Sequence, residues 1–482
     1  MRSALFALLL LLISDLIGQP LQVNDSVTFI NATFLGGETR SYYGNIAPDS
    51  LNVIWKTYLG KGKTTISRKS GEREWAGAGW TGQPLMVQEG EELFLIQGAF
   101  DHKLKKINAT TGEIIWENEF DDVIKGTGTL WYNPHARNLA EQILIFQGSR
   151  LGYGKYLDNL HIPSYRCISY YTGEELWRYD VKQTSSYSRD VDASCLVIDD
   201  TLYIGLENSR FTLMDPRPDH TSVIDSMIQP RIIQQYLLYE EADVEAHRSN
   251  VVTEGSIAKL NHQLFIPSGV GRVWAYDMNL DSLIWNFYTG SDIDGSAVIS
   301  ENGKLFVSIE KQYIPGKGGA FMIQPTDTAP IVEWFFPTPN TDFAGWKGGV
   351  IGTISINDQS NVFPDLNLAA FSGIDSLMYV VNYSQINQHQ THFGPNLNEI
   401  YPMPELFFKY NIGRSISTPL IIGDKIVACS YNGIYLFQIH PDHQVVLIDY
   451  MDLGEVEATP FVYDRRIYIA SRNGYLYCLG DL

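Results

Sequence analysis

Charge is sparse in this sequence. Only 19% of its 482 residues are Asp, Glu, Lys or Arg, below the ~25% usual for soluble chains. The balance is acidic, at −20 net, which argues against nucleic acid or an anionic membrane surface as partner, since both would be repelled. Past the N-terminus no apolar run approaches spanning length, so no membrane span is expected. Cysteine is scarce. Cys167, Cys195, Cys429 and Cys478 are widely spaced with no Cys-x-x-Cys, which removes the usual zinc-site spacing. In an exported chain they could pair; as strand residues they could equally be buried thiols. Familiar catalytic motifs are missing too, with no Gly-x-Ser-x-Gly and no His-Glu-x-x-His. Gly62-Lys63-Thr64 has no glycine five residues before Gly62 and no helix after it, so it is read as a chance match to a phosphate loop. His389-x-x-His392 and His440-x-x-His443 lie in expected loops without further ligands and are read as solvent-exposed.

What is present begins with Met1-Arg2-Ser3-Ala4, a short apolar run over 5–13 and small or polar residues to Gln19. One positive charge, a short apolar core and a polar exit make residues 1–19 a secretory signal peptide. The chain is therefore expected outside the cytoplasm, periplasmic or extracellular. No cysteine follows the apolar run, which disfavours a bacterial lipid anchor. Residues 20–51 are polar and are expected to form a lead-in segment on the surface. Apolar residues make up 44% of the chain and aromatics 12%, ample for a core. Tyr (28) outnumbers Phe (22), which suits half-buried strands whose polar tips reach water.

The rest of the chain repeats one phrase. Residues 455–482 hold three β-rich runs, 458–463, 466–470 and 475–479, separated by Asp464-Arg465 and by Ser471-Arg472-Asn473-Gly474. Such short polar links suit hairpin turns. The full phrase is strand, turn, strand, Ser-x-x-Gly, strand, a Thr-Gly turn, then a strand centred on Trp. Copies include Thr110-Thr111-Gly112-Glu113-Ile114-Ile115-Trp116, Thr172-Gly173-Glu174-Glu175-Leu176-Trp177, and Ser268-Gly269-Val270-Gly271 with Trp285. Four strands recurring every ~40–60 residues are the signature of a β-propeller.

Ser-x-x-Gly followed by Thr-Gly-Glu-x-x-Trp resembles the tryptophan-docking repeat of the pyrroloquinoline quinone (PQQ)-like propellers. That superfamily includes quinoprotein alcohol dehydrogenases and a non-enzymatic outer-membrane barrel-assembly lipoprotein. The resemblance covers residues 52–482 and implies fold more than function. Many of the dehydrogenases hold the quinone against a disulfide of adjacent cysteines, which this chain lacks, and no local motif places their calcium-binding Glu and Asn or catalytic Asp.

The expected fold is all-β, a single propeller over 52–482. Inner strands begin near 79, 125, 192, 254, 294, 347, 416 and 457, which makes eight blades. Blades three and six are the least regular, and merging one would leave seven. The last blade has only three strands of its own, and residues 52–60 are expected to supply the fourth, hiding both sheet edges. Trp55, Trp116, Trp177, Trp285 and Trp334 occupy equivalent places and are read as blade-to-blade packing residues.

Aligning the inner-strand starts places Thr81, Thr127 or Lys125, Asp192, Glu254, Asp294, Lys347, Ile416 and Glu457 at one mouth of the central channel. Asp190 and Asp192, Asp292 and Asp294, and Glu455 and Glu457 are paired at i,i+2, which puts both carboxylates on one side of a strand. Trp75, Trp80 and Trp346 lie nearby, and the insertions 149–165, 311–319 and 385–404 are expected on the same face. The acids could brace neighbouring blades by accepting backbone N–H groups. They could instead form a cation or polar-ligand site, with calcium at Asp294 and Glu254; their mutual repulsion would be relieved either by that cation or internally by Lys347 or Arg414. The leading functional reading is a monomeric, non-catalytic binding or scaffold protein. It would take a protein or polar ligand on the insertion-bearing face, at Asp192, Glu254, Asp294, Glu457, Lys347, Trp80 and Trp346. The alternative is a quinoprotein-like oxidoreductase with PQQ and calcium at the channel mouth, disfavoured by the missing disulfide. A polysaccharide-active enzyme would need paired carboxylates, which only spatial separation can reveal.

Overall fold

The computed structural model describes residues 20–67, 70–151 and 163–482. The signal peptide expected over 1–19 and the middle of the 149–165 insertion lie outside them. Among the described residues, eight four-stranded antiparallel sheets follow one another as blades. Blade four shows the plan, with Ala258–Leu260 innermost, then Gln263–Ser268, Arg272–Asp277 and Ser282–Tyr288 outermost. Gln263–Ser268 is buried at every position, because a middle strand has a neighbouring blade on each face and must be apolar or hydrogen-bonded throughout. The outer strand Val445–Met451 alternates between half-buried and exposed residues, as a strand with one wet face should.

Ring closure follows the expected pattern. The eighth sheet runs Phe461–Tyr463, Arg466–Ala470, Tyr475–Gly480 and then Asn52–Tyr58, with Trp55 opposite Cys478. Asp464 and Arg465 both adopt positive φ in the first turn of this blade, the geometry a two-residue hairpin demands. The repeat tryptophans join adjacent blades. Indole Nε1 donates to a carbonyl of the next blade in each case: Trp55 to Ala109 (3.0 Å), Trp116 to Tyr170 (3.0 Å), Trp177 to Pro216 (3.0 Å), Trp285 to Thr326 (2.8 Å) and Trp334 to Tyr383 (3.1 Å). The four cysteines are free and buried. No helix among the described residues is long and apolar enough to cross a membrane.

Two expectations are corrected. The lead-in segment is not on the surface. Val27–Asn31 pairs with blade one's inner strand, Leu85–Glu89, and the chain then visits the inner strands in turn. Thr33 bridges Thr129, Glu38 O accepts from Lys259 N, Thr39 O from Ile299 N, Tyr43 Oη from Ile356 N, and Tyr43 O from Val462 N. Phe34, Leu35 and Arg40 are wholly buried, so the segment fills the channel alongside the inner strands. Its polar character is explained by this path, since buried backbone groups of the inner strands need partners. Arg40 shows this most fully, donating to Thr33 Oγ1 and to the carbonyls of Phe34, Ser194, Cys195 and Ile257.

The stretch 385–404 is likewise not an irregular mouth loop. It belongs to a long hairpin, Leu377–Phe393 and Ile400–Asn411, that joins blade six's third and fourth strands. The tip lands on blades four and five, where Gly316 N donates to Pro395 O (2.8 Å) and Asn396 Nδ2 to Thr289 O (3.1 Å).

Candidate functional site: the channel mouth

Seven of the eight inner strands are preceded by Ser or Thr, with Gln83 in that place in blade one, and these hydroxyls form a belt. Ser194 N donates to Ser256 Oγ, Ser256 N to Ser296 Oγ and Ser296 N to Thr353 Oγ1, all at 2.9 Å. Thr353 N follows to Thr418 Oγ1 at 3.1 Å and Gln83 N to Thr127 Oγ1 at 2.9 Å. The blades are thus tied by hydroxyls, and the residues two positions earlier are left to line the mouth. Those residues are Thr81, Lys125, Asp192, Glu254, Asp294, Ile351, Ile416 and Glu457. Two alignment positions are therefore corrected. Lys125 rather than Thr127 faces the mouth, and Ile351 stands where Lys347 was expected. Lys347 lies on the exposed strand Trp346–Gly348 of a hairpin between blades five and six, because this insertion moves the inner strand four residues along the chain.

The mouth is split in two. On one side Trp80, Ile351, Ile374 and Ile416 form a buried apolar cluster with Phe343, Trp346 and Tyr431 against it. Glu457 belongs to this side, where it accepts from Tyr431 Oη (2.9 Å) and Arg472 Nη1 (2.8 Å).

The other side is acidic. Oxygens of Asp192, Glu207 and Glu254 lie within 4.8 Å of one another. Asp192 pairs with Lys125. Arg150 binds Asp190 (2.8 Å), whose second oxygen accepts Leu151 N (2.8 Å). Glu254 shares a hydrogen bond with Asp294, and Asp292 accepts from Asn250 Nδ2 (3.0 Å). The structure thus brings Asp192, Glu254 and Asp294 together and leaves Glu457 and Lys347 outside the cluster.

Crowding of buried like charges shifts these groups. Burial, together with Glu254 and Asp190 and against the pull of Lys125, pushes Asp192 up to about 6. Burial, Asp294 and Glu254 push Glu310 up to about 9. Burial and neighbouring carboxyls also hold Glu207, Asp292 and Asp294 well above the carboxylate range. Asp190 goes the other way, because Arg150 and Lys125 overcome its burial. Lys125 is raised despite burial, by Asp192, Glu254 and Glu207. Several buried oxygens have no hydrogen-bond partner: Asp192 Oδ1, Glu207 Oε1, Asp292 Oδ1 and Glu310 Oε1.

Glu207 and Glu310 escaped the sequence reading, although a signal existed. Tyr431 and Arg472 occupy the first variable place of Ser-x-x-Gly, directly after the second strand. Arg150 and Glu310 follow Ser149 and Ile309, whose carbonyls accept the amides of Val191 and Val350 as Ser430 O accepts that of Val456, and Glu207 directly follows blade three's second strand, Thr201–Leu206. That place is a second tier of mouth residues.

These features define an eight-bladed propeller with its channel filled alongside the inner strands and its mouth lined by charge. No family model matches the chain, and no curated protein sequence does. Among solved structures it is similar to BamB from Moraxella catarrhalis, with 12% identity and a TM-score of 0.52 over 89% of this chain and 98% of that one. It is also similar to the computationally designed Ika8 protein, with 10% identity and a TM-score of 0.50 over 88% and 99%. At these identities the likeness is one of fold.

Proposed function

We propose that this chain is an exported PQQ-like propeller that works by binding rather than catalysis, and that the acidic half of its mouth takes a hard cation such as calcium. The observation that carries this reading is a division of labour. Hydroxyls tie the blades together, while Asp192, Glu207 and Glu254 converge two residues or one corner away, with Asp192 Oδ1 and Glu207 Oε1 left without a protein donor. Buried polar atoms are rarely left so, and an all-oxygen set suits calcium or magnesium over softer metals. Asp192, Glu207 and Glu254 would hold the ion, which would supply the charge that lets their carboxyls ionise together. The insertions beside the cluster offer surface for a protein or polar partner. Export rests on the apolar start of the sequence.

Against the quinone alternative stand two observations. Trp80 is only 8% exposed and packs on Ile351, Ile374 and Ile416, so its face is not presented as a stacking floor. No pair of adjacent cysteines exists to oppose it.

The test is thermal unfolding with calcium or with chelator. At a hundredfold excess over its dissociation constant, calcium should stabilise the protein by about 2.7 kcal/mol, and Glu254→Gln should abolish the response. No shift in the unmodified protein removes the cation from the proposal.

A further inference from the structure

Glu310 also lines a cavity of about 490 Å³ whose other charged residues are Arg248, Lys311 and Lys347. Three insertions build it. Arg248 follows the short helix Glu241–Ala246 between blades three and four. Lys311, Gln312 and Tyr313 form the corner after blade five's second strand. Trp346 and Lys347 come from the hairpin Asn340–Phe343/Trp346–Gly348. We propose that this cavity binds an acidic saccharide, a sugar ring or short chain bearing carboxylate or sulfate. The sugar face would lie on Trp346 or Tyr313, with the anion among Lys311, Lys347 and Arg248.

The charge pattern argues for an anion. Many cations elsewhere are neutralised, as Arg272 is by Asp243 and Lys304 by Glu333, whereas three unpaired ones gather on this cavity. Among the described residues none of Arg248, Lys311 and Lys347 has an ion-pair partner, and the Lys311 ammonium donates only to the Ile314 carbonyl. Burial and the charge of Lys347 pull Lys311 below the usual lysine value, a penalty that a bound anion would relieve. Glu310 is the one carboxyl among the lining residues. Its burial disfavours the charged form, so it opposes a bound anion less than an exposed carboxylate would.

The aromatic side argues for a ring with hydroxyls. Tyr313 is 43% exposed and sits at φ +58°, a conformation that a bulky residue holds only when its surroundings impose it. They do so here. Lys311 N donates to Gly348 O (2.9 Å), and Gln312 N and O are both bonded to Ser291 Oγ (3.0 and 2.8 Å). The corner is therefore set before any ligand arrives, with aromatic faces beside a few polar groups, as small-molecule sites commonly show. Only Glu310 is shared with the cation cluster, so this site can fail or succeed independently of calcium.

Calorimetric titration of the full chain tests it, using an oligogalacturonate, a heparin-type sulfated oligosaccharide and neutral maltotetraose. At least one acidic oligosaccharide should bind, the neutral one should not, and binding should weaken with added salt. Lys347→Gln, at an exposed position, should lower affinity by about tenfold, as should Trp346→Ala, each with an unchanged calcium response. No binding of either acidic oligosaccharide at millimolar concentration would overturn the proposal. Equal binding of maltotetraose, or unchanged affinity in Lys347→Gln, would do the same.

Discussion

The amide of Ser194 donates to Ser256 Oγ across the boundary between blades three and four, at 2.9 Å. Glu254, two residues before Ser256, is thereby released from bracing the ring and meets Asp192 and Glu207 in the mouth instead. The two residues should respond to mutation in opposite ways.

Ser256→Ala leaves a buried amide without its acceptor and should lower stability by about 1–3 kcal/mol, with or without calcium. Glu254→Gln removes one of several crowded carboxyls and, in chelator, should leave stability unchanged or raised. Urea unfolding of both variants checks this. A loss of stability in Glu254→Gln but not in Ser256→Ala would return the acid to a bracing role.

Stability in chelator should fall as pH rises from about 5 to about 9. Asp192, held near 6, and Glu310, held near 9, have folded values above those of the unfolded chain. Between the ordinary carboxylate value of about 4 and these values, the native state binds more protons than the unfolded one, so stability declines with pH. Glu207, Asp292 and Asp294 shift in the same direction. Calcium should flatten the profile by supplying the missing positive charge. Melting temperatures that rise across this range in chelator would contradict the electrostatics of the cluster.

Trp334 is wholly buried and bonds to Tyr383 O. Trp334→Ala should cost about 3–5 kcal/mol by opening a cavity between blades five and six. Trp334→Phe, which keeps one aromatic ring but loses the bond and part of the volume, should cost less, about 1–3 kcal/mol. Equal losses for the two would show that packing contributes little at the docking position.

Arg40→Met should destabilise by about 3 kcal/mol or more, since it strands carbonyls of Phe34, Ser194 and Ile257 in the channel. Deleting residues 20–60 should be worse, because it empties the channel and also strips blade eight of its outer strand, leaving an edge that aggregates. Light scattering and unfolding curves read both. A monomeric truncation with unchanged melting would refute the closure role.

Titration with PQQ and calcium, followed by absorbance and dye reduction with simple alcohols, should show no micromolar binding and no turnover. Turnover would promote the oxidoreductase reading over binding.

The sequence by itself determined the ring. Blade number, the strand borrowed from residues 52–58 and the five docking tryptophans were legible because each depends on local signals, such as alternation in strands, Asn-Gly or Asp-Arg turns and a repeated Trp. Three of the clustered acids, Asp192, Glu254 and Asp294, were legible for the same reason, as they recur at one repeat position. Tertiary structure alone decided where polar segments go. Residues 20–51 read as surface because hydropathy cannot distinguish a solvated backbone from one hydrogen-bonded to the inner strands of successive blades. The corner residues Glu207 and Glu310 joined the site, and Lys347 left it, because strand ends and insertions set the final placement. The mouth's chemistry comes from charged groups more than a hundred residues apart, such as Lys125 and Asp294, and only ring closure brings them into one another's field.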